Sequence, residues 1–238
     1  MTGEQPLGRR TPGDFRHVQR YPYAAVAPAA VPTVERQLPL PRYRDLYDQG
    51  REGACVGFSS SWMMSILNRR RYEAHWLWDR AKETDEWPDT KPGDNNGTSV
   101  RAAMDVLRTQ GHRRLVRGAG GPVSLAEGIL ENRWATGTDE IRSCVANGTP
   151  AVLGCNWYAN FDTPESRGRQ GHWIGSGPLG RVRGGHAICV YGASDRLQAV
   201  RLVNSWGDRY PLVWLPYGVL QRLIDEDGEA ALVTDRLT

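Results

Sequence analysis

The stretch Gln49-Gly50-Arg51-Glu52-Gly53-Ala54-Cys55-Val56-Gly57-Phe58 decides how the rest of the chain is read. Up to Ala54 it is turn-like. From Cys55 onward Phe58, Trp62, Met63, Ile66 and Leu67 recur at steps of three and four, which predicts a helix. The positions between them, Ser59, Ser60, Ser61 and Ser65, are small and weakly polar, so such a helix is buried on most sides. Cys55 stands in its predicted first turn, where free backbone N–H groups and the helix dipole favour negative charge. A cysteine in such a place is a candidate thiolate, with a pKa of roughly 3.5–7.5 instead of about 8.5. Taken alone, a buried structural cysteine fits better.

Two downstream segments change that balance. His186 lies 131 residues after Cys55 in Gly184-Gly185-His186-Ala187, and Asn204 lies 149 residues after it in Val203-Asn204-Ser205-Trp206-Gly207. A thiolate needs a base that takes its proton and returns it to a leaving amine. That base needs a third group to hold its ring. His186 and Asn204 are the candidates. His17, His75 and His112 lack this setting; His172, in Gln170-Gly171-His172-Trp173, is the one competitor for the base.

The order Gln, Gly-flanked Cys, Gly-His-Ala and Asn-Ser-Trp-Gly, with Cys-to-His and Cys-to-Asn spacings of about 130–150 residues, resembles the papain-like cysteine peptidases. The likeness covers about residues 38–234. It implies an α+β fold of two lobes, a helical N-terminal lobe (about 45–135) and an antiparallel β-barrel-like C-terminal lobe (about 136–234). The site would lie in the cleft between them. It implies a thiol endopeptidase that works through an acyl-enzyme. It implies that Gln49 and the Cys55 backbone N–H stabilise the oxyanion, and that Trp206 shields the His186–Asn204 bond. Asn95-Asn96-Gly97-Thr98 resembles the Asn-Gly-Gly segment that pairs with substrate backbone, in a register open by one residue. This makes Asn96 and Gly97, with Gly185 and Trp206, the substrate-binding candidates.

The chain departs from that pattern in three places. Glu52 stands where the family has a second cysteine, and residues 94–96 hold no partner for one. Val56 replaces the aromatic residue that follows the nucleophile. The family's long helical pro-domain has no counterpart in residues 1–37, which carry Pro6, Pro12, Pro22, Pro28 and Pro32 and no helical period. These residues read as an irregular arm before a peptidase domain at 38–238. The arm is expected to pack on the surface or to lie partly in the cleft.

The helical pattern continues at about 73–83, from a Thr98 cap towards Gly111, and at about 138–147. After Pro150 the texture turns to short strand-like runs at 151–157, 187–191, 199–203, 212–215 and 230–234. Helices first and strands second imply α+β. The connection 158–185 reads as a long Gly- and Arg-rich loop.

The 238 residues suit one large domain or two small lobes. A net charge of +3 is too small to argue for nucleic acid or an anionic membrane, and neither is expected as a partner. Of the 30 basic residues only Lys82 and Lys91 are lysines, which fits a GC-rich bacterial or bacteriophage genome. Cys144, Cys155 and Cys189 read as buried free thiols, and with no signal peptide or membrane span the expectation is a cytoplasmic monomer. There is no metal-ligand spacing and no phosphate-binding loop, so no cofactor is expected. The leading expectation is an enzyme acting on polypeptides. The alternatives are a Cys-His-Asn amidase or acyltransferase of peptidoglycan or transglutaminase type, and a papain-like scaffold that binds without catalysis.

Overall fold

A computed structural model describes residues 7–25, 33–41, 47–115 and 123–236. In chain order the elements are α1 (Arg16–Arg20), β1 (Glu35–Gln37), α2 (Cys55–Asn68), β2 (Arg71–Tyr72), α3 (Ala74–Thr84), α4 (Val100–Thr109), β3 (His112–Leu115), β4 (Val123–Glu127) and β5 (Ile129–Ala135). The remainder are α5 (Thr138–Ala146), β6 (Ala151–Tyr158), β7 (Glu165–Ser166), β8 (His172–Trp173), β9 (Val182–Ser194), β10 (Ala199–Val203), β11 (Val213–Pro216), α6 (Tyr217–Asp225) and β12 (Glu229–Arg236).

Helix α2 forms where the apolar period places it and is buried from Cys55 to Ile66. Each large side chain it buries, such as Trp62 or Met63, contributes roughly 1.5–3 kcal/mol. Three of its four buried serines find partners, and the Ser60 hydroxyl has none among the described residues. Ser59 donates to the Val56 carbonyl and Ser61 to the Gly57 carbonyl, while Ser65 meets the Tyr47 hydroxyl at 3.1 Å. Arg69, with φ at 56°, turns the chain out of the helix. Around α2 one apolar cluster gathers Phe58, Trp62 and Met63 with Leu77, Leu107, Ala187 and Cys189. The central helix therefore packs on β9 as well as on α3 and α4.

The large sheet runs β5-β12-β6-β9-β10-β11-β8-β7, with β1 on the other edge position of β9. It is antiparallel except for β11 beside β8, and among the described residues its path does not close on itself. A second apolar cluster, with Ile141 and Val145 of α5 and Leu220 and Leu223 of α6, covers it. Strands β2, β3 and β4 form a separate small sheet. The α+β architecture is as expected from the sequence, but the segregation is looser. β5, in the first half, belongs to the large sheet, and α6 follows β11 directly. The strand run of β11 hides the start of α6, whose Leu220, Leu223 and Ile224 are spaced for a helix. Helix α4 starts one residue later than the Thr98 reading. Ser99 caps it by accepting from the Ala102 N–H at 3.1 Å.

The arm is partly ordered secondary structure. Residues 8–10 cross to the α4 side, α1 lies against β5, and β1 pairs with β9. The Trp134 N–H donates to the Tyr21 carbonyl at 3.0 Å, and the His17 ring meets Trp134 edge-on at 4.5 Å.

Candidate active site

Cys55 is the first residue of α2 and is wholly buried. Burial pushes its thiol up to about 11. Against that, backbone N–H groups of Ala187, Gly8 and Val56 and the charge of Arg9 favour the thiolate. The Ala187 contact fixes the neighbourhood, because His186 is the next residue along β9.

His186 is also fully buried. Its Nε2 lies 2.9 Å from Asn204 Oδ1. The Ser205 N–H donates to the same Asn204 atom at 2.7 Å, which identifies that atom as the oxygen. An oxygen only accepts here, so Nε2 carries the proton and Nδ1 is left with a lone pair. Nδ1 has no hydrogen-bond partner among the described residues. The register delivers both groups. β9 is held between β6 and β10, and Asn204 follows β10 directly. Trp206 covers the imidazole at 4.9 Å and Trp157 meets it edge-on at 4.6 Å. This wall keeps water from the His186–Asn204 bond. It also desolvates the ring, which is the main reason its pKa falls to about 4 despite the Asn204 bond. Burial thus disfavours the charged form of the thiol and of the imidazole alike.

Gln49 is buried beside them. Its N–H donates to the Ser205 carbonyl at 2.8 Å, and Asp48 bridges Trp206. The loop before α2 is thus tied to the Asn204 segment. The side-chain Nε2 donates to the Glu52 carbonyl at 2.7 Å, which uses one of its two protons. Cys55, opening its helix, has no preceding helical carbonyl for its own N–H. His172 lies on β8 between β11 and β7, not on β9.

The substrate-binding candidates meet the arm. The Arg9 N–H donates to the Gly185 carbonyl at 3.0 Å. The Thr98 N–H donates to the Gly8 carbonyl at 3.1 Å, and the Arg10 N–H to the Thr98 carbonyl at 2.9 Å. Together these make a parallel bridge between Arg9 and Thr98. In this pairing with the arm the partner residue is Thr98. Gly97 sits so close that a Cβ there would lie 1.5 Å from the Gly8 oxygen. Asn96 turns away: its amide bonds the Asp89 carbonyl and the Asp94 carboxylate. Beside the arm a cleft of about 400 Å³ remains, lined by Arg10, Asp89, Asn95, Asn96 and Gly184 among others. The four cysteines are all free and buried. No helix among the described residues is long and apolar enough to cross a membrane.

Solved structures share the fold. Xylellain, a cysteine protease from Xylella fastidiosa, superposes with a TM-score of 0.69 at 17% identity, covering 99% of this chain and 98% of its own. Procathepsin B from Trypanosoma congolense gives 0.65 at 13% identity, covering 100% of this chain and 84% of its own. Procathepsin L2 from the Tenebrio molitor larval midgut gives 0.62 at 16% identity, covering 97% and 78%. The chain has the papain-like fold. No protein-family model matches the sequence, and no curated protein sequence matches it. Within the papain-like fold, sequence reading missed Trp157, Gly8 and Arg9. Trp157 read only as a strand residue, and the arm residues carry no local motif; their part comes from a long-range contact.

Proposed function

We propose that the chain is a cysteine endopeptidase with Cys55 as nucleophile, His186 as base and Asn204 as the group that orients it. The observation that carries this is the meeting of three elements: the free first turn of α2, the Ala187 N–H on β9 at the Cys55 sulfur, and the His186–Asn204 pair with an unused Nδ1. In the reaction Nδ1 takes the thiol proton, and sulfur attacks the peptide carbonyl. The Cys55 N–H and the second Gln49 Nε2 proton receive the oxyanion. The tetrahedral adduct collapses as the imidazolium gives its proton to the departing amine. Water then attacks the thioester, losing a proton to His186, and frees the acid and the thiol.

A peptide is favoured over a cell-wall fragment because the groove pairs with extended backbone, as it does with residues 8–10. The arm occupies that groove, and burial disfavours the charged forms of the thiol and imidazole. This form is latent, and activity requires the arm to leave. The test is cleavage of casein against muropeptides by Gly8→Ala, whose added Cβ would fall 1.9 Å from the Gly53 carbonyl oxygen and so release the arm, and by the same chain carrying Cys55→Ala. Cleavage of casein that survives Cys55→Ala rejects the assignment, and turnover confined to muropeptides favours the amidase. Absence of any turnover, with partner binding unaltered in Cys55→Ala, favours the non-catalytic scaffold.

A further inference from the structure

A row of paired residues crosses the large sheet on its side away from the second core. Gln37 of β1 pairs with Gly192 of β9, and Gly192 with Arg201 of β10. Arg201 pairs in turn with Trp214 of β11, and Trp214 with Trp173 of β8. Paired residues share a face, and their chain neighbours point the other way. Here Val200, Leu202, Val213 and Leu215 point into the second core. Trp173 and Trp214 form a small apolar cluster of their own with Ala199. Gly192 lies six residues beyond His186 on β9, about 20 Å along the strand. This face therefore stands apart from the candidate active site.

Arginine dominates it. Arg201 stacks on Trp214 at 4.8 Å and Arg167 on Trp173 at 4.9 Å. Arg167 is paired with Glu165 at 3.1 Å. Arg201 has no such partner among the described residues: its Nε donates to the Tyr191 hydroxyl at 3.2 Å, and its Nη1 is buried without a hydrogen bond. Beside it is a cavity of about 420 Å³, lined by Gln37, Arg169, Gln170, Arg196 and Leu197 as well as Trp214. Gly192 makes the room, since a Cβ there would fall 2.8 Å from Arg201 Cβ and 2.9 Å from Gln37 Cγ. Arg169 makes no ion pair among the described residues. Arg196 feels the charge of Glu35, but that carboxylate is already engaged by the Ser194 hydroxyl and the Arg196 N–H.

Three guanidinium groups around one cavity repel one another, and a buried donor without a partner is unfavourable. One anion relieves both. An arginine held flat on an indole keeps its in-plane fork of N–H groups for oxygen acceptors. A carboxylate brings a single charge. A phosphate monoester brings about 1.5–2 negative charges at neutral pH and three acceptor oxygens, which matches three arginines better. A cavity of this size takes a small organic ligand, and Leu197 and Trp214 give it an apolar wall.

We propose that this cavity binds a small phosphate monoester, its phosphate held by Arg169, Arg196 and Arg201 and its organic part against Leu197 and Trp214. The site does not rest on the cysteine-peptidase reading. The test is isothermal titration of the full chain at constant ionic strength with phenyl phosphate, inorganic phosphate, benzoate and phenol. The expected result is saturable binding of phenyl phosphate, at least about fivefold tighter than that of inorganic phosphate, with no saturable binding of benzoate or phenol. Arg169→Gln and Arg196→Gln are each expected to weaken phenyl phosphate by about fivefold. Arg201→Lys keeps the charge but loses the fork and the stack, and is expected to weaken it by about tenfold.

Phenyl phosphate that does not saturate the wild type overturns the proposal, and so does benzoate that binds as tightly. Inorganic phosphate that binds as tightly as the ester overturns the assignment of an organic ligand. Arg169 and Arg196 are exposed, so their double substitution to Gln spares the fold; unchanged affinity in that variant overturns the site. Should Arg201→Lys lose its folded circular dichroism, the double variant is read in its place.

Discussion

The chain buries two histidines completely, one in each half, and only one of them is in a site. His112, at the start of β3, lies flat between Tyr72 at 4.8 Å and Trp76 at 5.9 Å, with Nε2 2.8 Å from the Ser61 hydroxyl. His186 lies between Trp157 and Trp206, with Nε2 on Asn204. Both are held uncharged by burial, His112 to about 3 and His186 to about 4. Judged by partner and pKa alone, the Ser61–His112 pair would pass for a nucleophile and its base. The difference is access. Ser61 is in the middle of α2, where its own turn uses the hydroxyl and the backbone N–H groups are spent on the helix. Cys55 is at the end of the same helix, where N–H groups are free and extended chain from the arm reaches the sulfur. Position along one helix separates a structural pair from a candidate reactive one.

The strongest attempt to break this comparison is to remove each pair. In a chain whose arm has been released, Cys55→Ala or His186→Ala is expected to abolish casein cleavage, by about 10³-fold or more. His112→Asn is expected to lower the melting temperature while turnover by the folded fraction persists. Equal loss of turnover in folded His112→Asn would erase the distinction. A smaller loss, about 10²–10³ in rate, is expected for Gln49→Ala if its second Nε2 proton meets the oxyanion. A normal rate there would leave the Cys55 N–H as the sole donor among the groups proposed.

The candidate triad was read from the order and spacing of Cys55, His186 and Asn204 and their family resemblance, and the structure places them at the start of α2, within β9 and just after β10. The α+β class followed from helical patterns preceding strand patterns, and the two lobes from the family resemblance. The buried contact of Arg9 with Glu229 was not legible. Glu229 reads as a turn residue before the apolar run of β12, and nothing within a few positions of Arg9 points to a buried partner. Their meeting spans 220 positions of sequence, and it depends on the absence of a side chain at Gly154. Helix α6 and strand β5 were missed for a related reason. Each is short, and each is decided by packing on a sheet whose partners lie far away in the chain.

A change on the arm alone sharpens the comparison further. A Cβ on Gly8 would fall 1.9 Å from the Gly53 carbonyl oxygen, and backbone on that side does not yield as a flexible side chain does. Gly8→Ala is therefore expected to undock residues 8–10 without altering the cleft. Alkylation of Cys55 by iodoacetamide at neutral pH should rise about tenfold as water reaches the pair and an imidazolium can form beside the sulfur. An unchanged rate would mean that the arm does not govern the thiol.

The smallest expected effect is on stability against pH, and it separates the two histidines without chemistry. In each, the folded pKa lies below the unfolded value near 6.5. Between the two values the unfolded chain binds a proton that the folded chain refuses, so stability rises with pH. Above about 6.5 both states are neutral and the contribution is flat. As pH falls from 6.5 to 5, each histidine is expected to remove stability at up to about 1.4 kcal/mol per pH unit. Urea unfolding of His112→Asn and of His186→Asn over that window should each show about half of the wild-type slope due to the pair. Gly8→Ala then discriminates. Undocking the arm hydrates His186 and raises its folded pKa, which flattens its share. His112, walled by Tyr72 and Trp76 away from the arm, keeps its own. A Gly8→Ala slope identical to wild type would show that the two burials are alike, and that the openness of the His186 site to the groove is not what distinguishes it.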